Sequence, residues 1–307
     1  MIKTFTITNY LGDSIKLELG RPEKSGFLVK SVSGLGPSKA NIITTEVSTN
    51  DGSLFNSARL NQRNIVFEFI FVETINGESI EDVRQKSYKY FPLKKNLDLL
   101  IETDNRIVKT IGYVESNEPN IFSSQEGSQI SIICPDPHFY SAGPNGNNIT
   151  VFYGIEPVFE FPFGNESLTD PLIVFGNIQN KTENVITYRG DSEIGITIQI
   201  HAIGEVENIT IYNTGTREIM RIDTVKIEAL TGSGIVAGDD IIIKTQKGDK
   251  SITLIRGGKT TNILNCLEKG SDWFSLAKGN NIFAFTAESG TTNLQFWIEN
   301  KVIYEGV

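Results

Sequence analysis

Long apolar runs are missing from this sequence, and with them most of what announces chemistry. The first twenty residues, MIKTFTITNYLGDSIKLELG, alternate without an uninterrupted hydrophobic stretch. They offer neither a signal peptide nor a membrane-spanning helix, so the expectation is a chain that stays in the cytoplasm unless it leaves as part of something larger. Cysteine is scarce: Cys134 and Cys266 lie far apart, and two free thiols in a reducing compartment are expected. Histidine is equally scarce, and neither His138 nor His201 has a serine, cysteine or carboxylate partner at a spacing that suggests nucleophilic catalysis. Among 28 glycines there is no G-x-G-x-x-G or G-x-x-x-x-G-K-[ST] between a strand and a helix, which removes the usual foothold for nucleotides. Asn-Ile-Thr at Asn148 and Asn208 matches the glycosylation acceptor, a match without meaning unless the chain is exported.

Positive charge is also thin. The net charge is −9, with 15 basic against 17 acidic side chains in residues 1–150 and 13 against 20 in the remainder. The C-terminal half therefore carries most of the negative charge and repels phosphate backbones. No Lys/Arg cluster interleaved with aromatics appears, so specific nucleic-acid binding is not expected. There is no fixed-period repeat either, which disfavours a propeller or solenoid.

What is present reads almost entirely as strands. Lys3–Thr8, Ser14–Leu19, Asn64–Glu73 and Ser128–Cys134 alternate apolar and polar residues with β-branched and aromatic side chains, the period-two pattern of half-buried strands. One segment differs: in SIEDVRQKSYKYFP, Ser79 can cap a helix with Asp82 reaching back, and Ile80, Val83, Ser87 and Tyr90 share one side before Pro92 ends it. The prolines and glycines of CPDPHFYSAGPNGNN, residues 134–148, make continuation of any element improbable and place a domain boundary there. Beyond it only strands are read: LIVFGNI, GITIQIHAI, NITIYN, IMRIDTV, DDIIIKT, SITLIR, NIFAFTA and NLQFWIENKVIYEG, joined by Gly, Asn and Asp turns. The expected fold is mainly β: an N-terminal β-sandwich-like domain with one principal helix over 1–140, then an antiparallel β-sandwich over 141–307. With 307 residues, 39% hydrophobic and 21% charged, each half can bury its own core.

Candidate chemistry is sparse. Cys134, Asp136 and His138 gather three metal-ligand types, but a structural zinc site wants four ligands, usually from paired Cys-x-x-Cys elements, and no second pair exists. No metal and no cofactor is expected, and the bland reading is a rigid proline-containing exit from a strand. His201, after GITIQI, reads as a satisfied sheet residue. Carboxylate pairs drawn from distant strands stay open as a hydrolytic site, with solvated surface as the default. The aromatics of GSDWFSLAKGNNIFAFTA raise the remaining question. Phe283 and Phe285 share a strand face, and in NLQFWIEN the residues Leu294, Phe296 and Ile298 oppose Gln295, Trp297 and Glu299. Trp273 and Trp297 are the candidate sugar- or interface-binding aromatics. If the domain is scaffold and not lectin, Trp273 belongs to its core and Trp297 to a polar face.

The run from Gly238 to Val307, with its GD strand, KSITL strand, short NIL segment, SDWFSL, GNNIFAFTA and final YEGV, resembles the closing domain of the distal tail proteins of long-tailed bacteriophages. TNDGSLFNSARLNQRNIVFEFIF, the helix, IGYVES and SQISIICPDPHFYS look like the ring-forming domain of the same family. The order and spacing of these segments carry the resemblance, which covers nearly the whole chain. It implies a non-enzymatic hub. The N-terminal domain would form a homohexameric ring at the end of the tail tube, and a galectin-like second domain would stand on its outside. The implied partners are copies of itself, the tail tube protein, a tail-associated hub or tip protein, and receptor-binding proteins. The implied location is the virion tail tip, after assembly in the host cytoplasm. The strand NIVFEFIFVE and the loop STNDGSLFNSARLNQR are the candidate ring contacts. A carbohydrate-binding adhesin using the face around Trp273 or Trp297 is the alternative. A wall hydrolase stands third, without a constellation to support it.

Overall fold

A computed structural model describes residues 1–46, 48, 51–143, 146–157 and 176–307. The chain divides into two compact units, Met1–Gly146 with Ile303–Val307, and Asn147–Val302. The sequence reading drew a single boundary at 140/141; the chain crosses between the units twice, the second time at Val302/Ile303.

The first unit is built from β1 (Ile2–Asn9), β2 (Ser14–Glu18), β3 (Phe27–Ser33), β4 (Ala40–Glu46), β5 (Ser53–Leu60), β6 (Arg63–Phe71), α1 (Ile80–Tyr90), β7 (Asn96–Thr103), β8 (Ile107–Asn120), β9 (Gly127–Cys134) and β10 (Phe139–Ser141). Its main sheet runs β2-β1-β7-β8-β9-β6-β3, every neighbour antiparallel. Alternation decides which side faces inward. In β6 the side chains of Ile65, Phe67, Phe69 and Phe71 are buried while Asn64, Val66, Glu68 and Ile70 between them are not, as a pleated strand with one covered face requires. The sheet folds over this core. Phe5 of β1 meets Phe67 of β6 edge-on at 5.2 Å between ring centroids, although the two strands are not neighbours.

Helix α1 covers one side of the same core. Ser79 Oγ accepts from the Asp82 amide and the Asp82 carboxylate accepts from the Ser79 amide, closing the reciprocal cap read in the sequence. Val83 and Ser87 are buried, and Ile80 and Tyr90 pack partly against the core.

The second unit holds β11 (Asn147–Val151), β12 (Tyr153–Pro157), β13 (Gly176–Asn180), β14 (Glu183–Tyr188), β15 (Ile194–Gly195), β16 (Thr197–Ala202), β17 (Glu207–Asn213), β18 (Glu218–Ile222), α2 (Thr224–Thr231), β19 (Asp240–Lys244), β20 (Ser251–Arg256), β21 (Lys259–Asn262), β22 (Ser275–Leu276), β23 (Gly279–Ser289) and β24 (Leu294–Lys301). A six-stranded sheet, β11-β24-β16-β19-β20-β21, and a four-stranded one, β14-β23-β17-β18, are antiparallel throughout. Between them lies an aromatic core. Phe285 of β23 stacks on Phe296 of β24 at 4.8 Å, and Phe152 meets Phe296 edge-on at 4.9 Å. Most of the aromatics of residues 270–287 are thus interior. The stretch LIVFGNI lies largely outside the described residues.

Two expectations are corrected here. The second unit is not all strand: IMRIDTV ends its strand at Ile222 and turns into α2, which Asp223 caps by accepting from the Val225 and Lys226 amides and Gly232 closes at φ 87°. The loop expected over residues 48–63 is mostly β5, paired with β4 as a separate two-stranded ribbon, with residues 49 and 50 outside the described ones.

The last strand, β25 (Ile303–Tyr304), completes the first unit by pairing with β10, whose other neighbour is β8.

Candidate functional site

Among the described residues, the β4–β5 ribbon is a strand pair that packs no side chain into a core. Every residue of both strands is exposed, including Ile42 at 62%, Leu54 at 62% and Phe55 at 67%. A slip in register between Ile43 and Thr44 breaks the ladder, as a β-bulge does. A two-stranded ribbon by itself is marginal in water. This one, with no third strand paired to it among the described residues, leaves isoleucine, leucine and phenylalanine in solvent.

The base of the ribbon, in contrast, is fixed. The Asn61 amide donates to Lys39 O at 3.0 Å, tying the two stalks together. Gly34, at φ +83°, lies so close to the next strand that a Cβ there would come within 1.9 Å of Asn64 O, so only glycine fits. Arg63, 2% exposed, begins the strand that follows the ribbon. Its Nε donates to Pro137 O at 2.8 Å, Nη1 to Gly34 O at 2.6 Å and to Gly36 O, and Nη2 to Glu305 O at 2.6 Å. The guanidinium also lies over the Phe139 ring, 4.2 Å from its centroid. Burial holds its pKa below the ordinary arginine value, opposed by the charges of Cys134 and Asp136.

The other candidate ring strand is not available. β6 is hydrogen-bonded along both edges, to β3 and to β9, and its inward side chains form the core. It has no free edge to offer a neighbour.

The supposed metal trio is divided. Cys134 is wholly buried, its thiol pushed up by burial against the pull of Thr110 and Arg63. Asp136 instead joins His138 Nδ1 at 2.9 Å and accepts from the Tyr140 hydroxyl. Burial works against the charge of Asp136, but these hydrogen bonds more than offset it and hold the carboxyl below its ordinary value. Among the described residues no three His, Cys, Asp or Glu side chains converge as a metal site. Cys266 is buried as well, and both cysteines are free thiols.

The two tryptophans sit on different elements. Trp273, half-buried in the irregular segment before β22, carries the Lys250 ammonium 5.0 Å from its ring centroid. The core position beside it belongs to Phe274, 1% exposed and edge-on to Phe283 at 5.4 Å. Trp273 is therefore not the core residue of that stretch. Trp297 is half-buried on the outer face of the six-stranded sheet, directly across from Gln199 of β16 and Val151 of β11. His201, paired across from Gln295, lies on that face with its Nδ1 2.7 Å from Asp240.

Two of the molecule's surface hollows are polar in lining. One of about 140 Å³ is lined by Thr197, Lys244, Asp249 and Glu299 among others, and one of about 420 Å³ lies between α2 and the start of β17 beside Glu205, Glu207 and Glu228. Neither brings a histidine to a serine or cysteine nucleophile, the arrangement acyl transfer needs.

No protein-family model matches the sequence, and no curated protein matches it. A solved structure shares the fold. The crystal structure of the Dit protein of phage SPP1, described as a paradigm of the hub adsorption apparatus in phages that infect Gram-positive hosts, aligns at a TM-score of 0.61 and 13% identity, covering 98% of this chain and 99% of that one. Chains of the phage p2 baseplate in its activated conformation align at TM-scores of 0.42 with strontium and 0.43 with calcium. Their identities are 12% and 13%, over 97% and 98% of this chain and 98% and 99% of theirs.

Proposed function

We propose that this chain is a structural hub protein of a bacteriophage tail tip, in the manner of the distal tail proteins. Residues 1–146 with 303–307 form a homohexameric ring through the β4–β5 ribbon, which reaches onto the next copy. The ring joins the tail tube to a tip or receptor-binding apparatus, and the galectin-like second domain, residues 147–302, stands outside it. The observation that carries this reading is the ribbon: an exposed apolar strand pair on a fixed base is suited to a heterologous contact, in which one patch of each copy fits a different patch on the next and closes a ring. Its support is the shared fold with the SPP1 Dit protein over nearly the whole chain. The near balance of charge in residues 1–150 lets copies approach without strong repulsion. The role is assembly and not catalysis.

The test is the state of assembly of the full chain, by light scattering and negative-stain imaging. Rings with six-fold symmetry are expected at high concentration, and the double substitution Leu54→Asp with Phe55→Asp, at two exposed positions, is expected to leave a folded monomer. A chain that stays monomeric at every accessible concentration, or a variant that forms rings as readily, overturns the reading.

A second reading, saccharide recognition, is favoured by one feature: Trp297 lies on a sheet face with Gln199, Gln295 and His201, a stacking ring beside hydrogen-bonding groups. Specific saccharide binding on a glycan array, lost in Trp297→Ala with the fold intact, would support it.

A further inference from the structure

Arg63 stands where four distant pieces of the chain meet. Gly34 and Gly36 lead into the ribbon, Arg63 leads out of it, Pro137 precedes β10, and Glu305 lies 242 residues further along the sequence. All four partners of the guanidinium are backbone carbonyls, which a planar fork of fixed donors reaches together and a flexible ammonium does not. Carbonyls neutralise no charge, so these four hydrogen bonds hold a buried arginine by its geometry and not through an ion pair.

The segment 303–307 adds contacts of its own to the same place. Ile303 and Tyr304 pair with Tyr140 and Phe139, Arg106 lies over the Tyr304 ring at 4.3 Å, and the Val307 amide donates to Leu35 O at 3.0 Å. Gly306 packs so closely that a Cβ would stand 3.2 Å from Leu35 O. Residues 34–36, one stalk of the ribbon, are thus held on one side by the strand that follows the ribbon and on the other by 303–307.

We infer that Arg63 and residues 303–307 form a clasp that fixes the direction of the β4–β5 ribbon, and that this clasp, made by residues that do not belong to the ribbon, sets its readiness to engage a second copy of the chain. Arg63 acts as a positioning residue: it touches no partner and works through the stalks. The ribbon has no packing of its own to hold its direction, since all its side chains are exposed, so its orientation is set at the base. The consequence for assembly rests on the ring reading above; the clasp itself does not.

Three full-length variants test this: Arg63→Lys, which keeps the charge but not the fork; deletion of 303–307; and Glu305→Ala, which leaves the accepting carbonyl in place. Hydrogen exchange is read at the Asn61 amide in the base and at amides of β6 and β9 in the core, beside the fraction of protein in rings. In Arg63→Lys, exchange at Asn61 should rise about tenfold or more, as expected when an opening becomes local, with β6 and β9 unchanged; in the deletion, which also takes β25 from the sheet, the rise at Asn61 should exceed the rise at β6 and β9. The ring fraction should fall with it, and Glu305→Ala should match the parent chain in both readouts. Unchanged exchange at Asn61 overturns the clasp. Exchange raised equally in the core makes Arg63 an ordinary stabilising residue and overturns it too. Faster exchange at the base with undiminished rings overturns the link to assembly. If the parent chain forms no rings yet Asn61 responds as expected, the clasp stands and the ring reading fails.

Discussion

At the scale of single residues, burial separates neighbours that the sequence presents as equals. Trp273 and Phe274 are adjacent and both aromatic, yet only Phe274 fills the sandwich core. Phe274→Ala should destabilise the protein by about 3–5 kcal/mol, whereas Trp273→Ala and Trp297→Ala, which uncover no core, should each lose much less in denaturant unfolding. The sequence pattern placed Trp297 on its outer face because β24 alternates cleanly; Trp273 lies in an irregular segment, where no period exists to read. Charge follows the same logic. Asp239, 1% exposed, meets Arg256 at 2.5 Å, so Arg256→Met strands a buried carboxylate and should cost about 3–5 kcal/mol. Asp136 gives a pH test. Its folded-state pKa is depressed, so its stabilisation is fully present above the unfolded value near ~3.9 and disappears as pH falls through the folded value. Asp136→Asn should flatten the loss of stability between about pH 5 and pH 2, measured by thermal melting across that range.

At the scale of elements, legibility tracked how one-sided each burial is. Strands β1, β2, β6 and β24 bury one face, and their alternation was plain in the sequence; α1 announced itself by a capping box and by Ile80, Val83, Ser87 and Tyr90 sharing one side. Helix α2 was passed over because it is eight residues long and buries only Thr224 and Ile227, too short a run to show a helical period. Its stop and start signals, Asp223 and Gly232, were nonetheless present. Asp223→Ala should remove the cap and reduce stability by about 1 kcal/mol, read as a shift in unfolding midpoint. β5 was read as a loop, and β4 was not read, for the opposite reason: neither face of the ribbon is buried within the chain, so nothing forces alternation, and the slip at Ile43/Thr44 interrupts what little there is.

At the scale of the whole molecule, the sequence shows where composition changes but not where the chain returns. The Pro- and Gly-rich stretch near residue 140 marks the first crossing between the two units; the second, at Val302/Ile303, has no turn signal because β24 runs almost directly into β25. That return has a consequence for dissection. A fragment ending at residue 140 or 146 lacks β25, leaves one edge of β10 open, and removes one carbonyl from the Arg63 fork and the Val307 bond to Leu35. A fragment of 147–302 keeps both of its sheets and its Phe152, Phe285 and Phe296 core. We therefore expect residues 147–302 to unfold cooperatively on their own, residues 1–146 to be destabilised by about 2 kcal/mol or more relative to a version carrying 303–307 through a flexible linker, and the linked version to recover that difference. Denaturant unfolding of the three fragments decides it. Equal stability of 1–146 with and without the linked segment would mean that the final strand is carried by the first unit without supporting it.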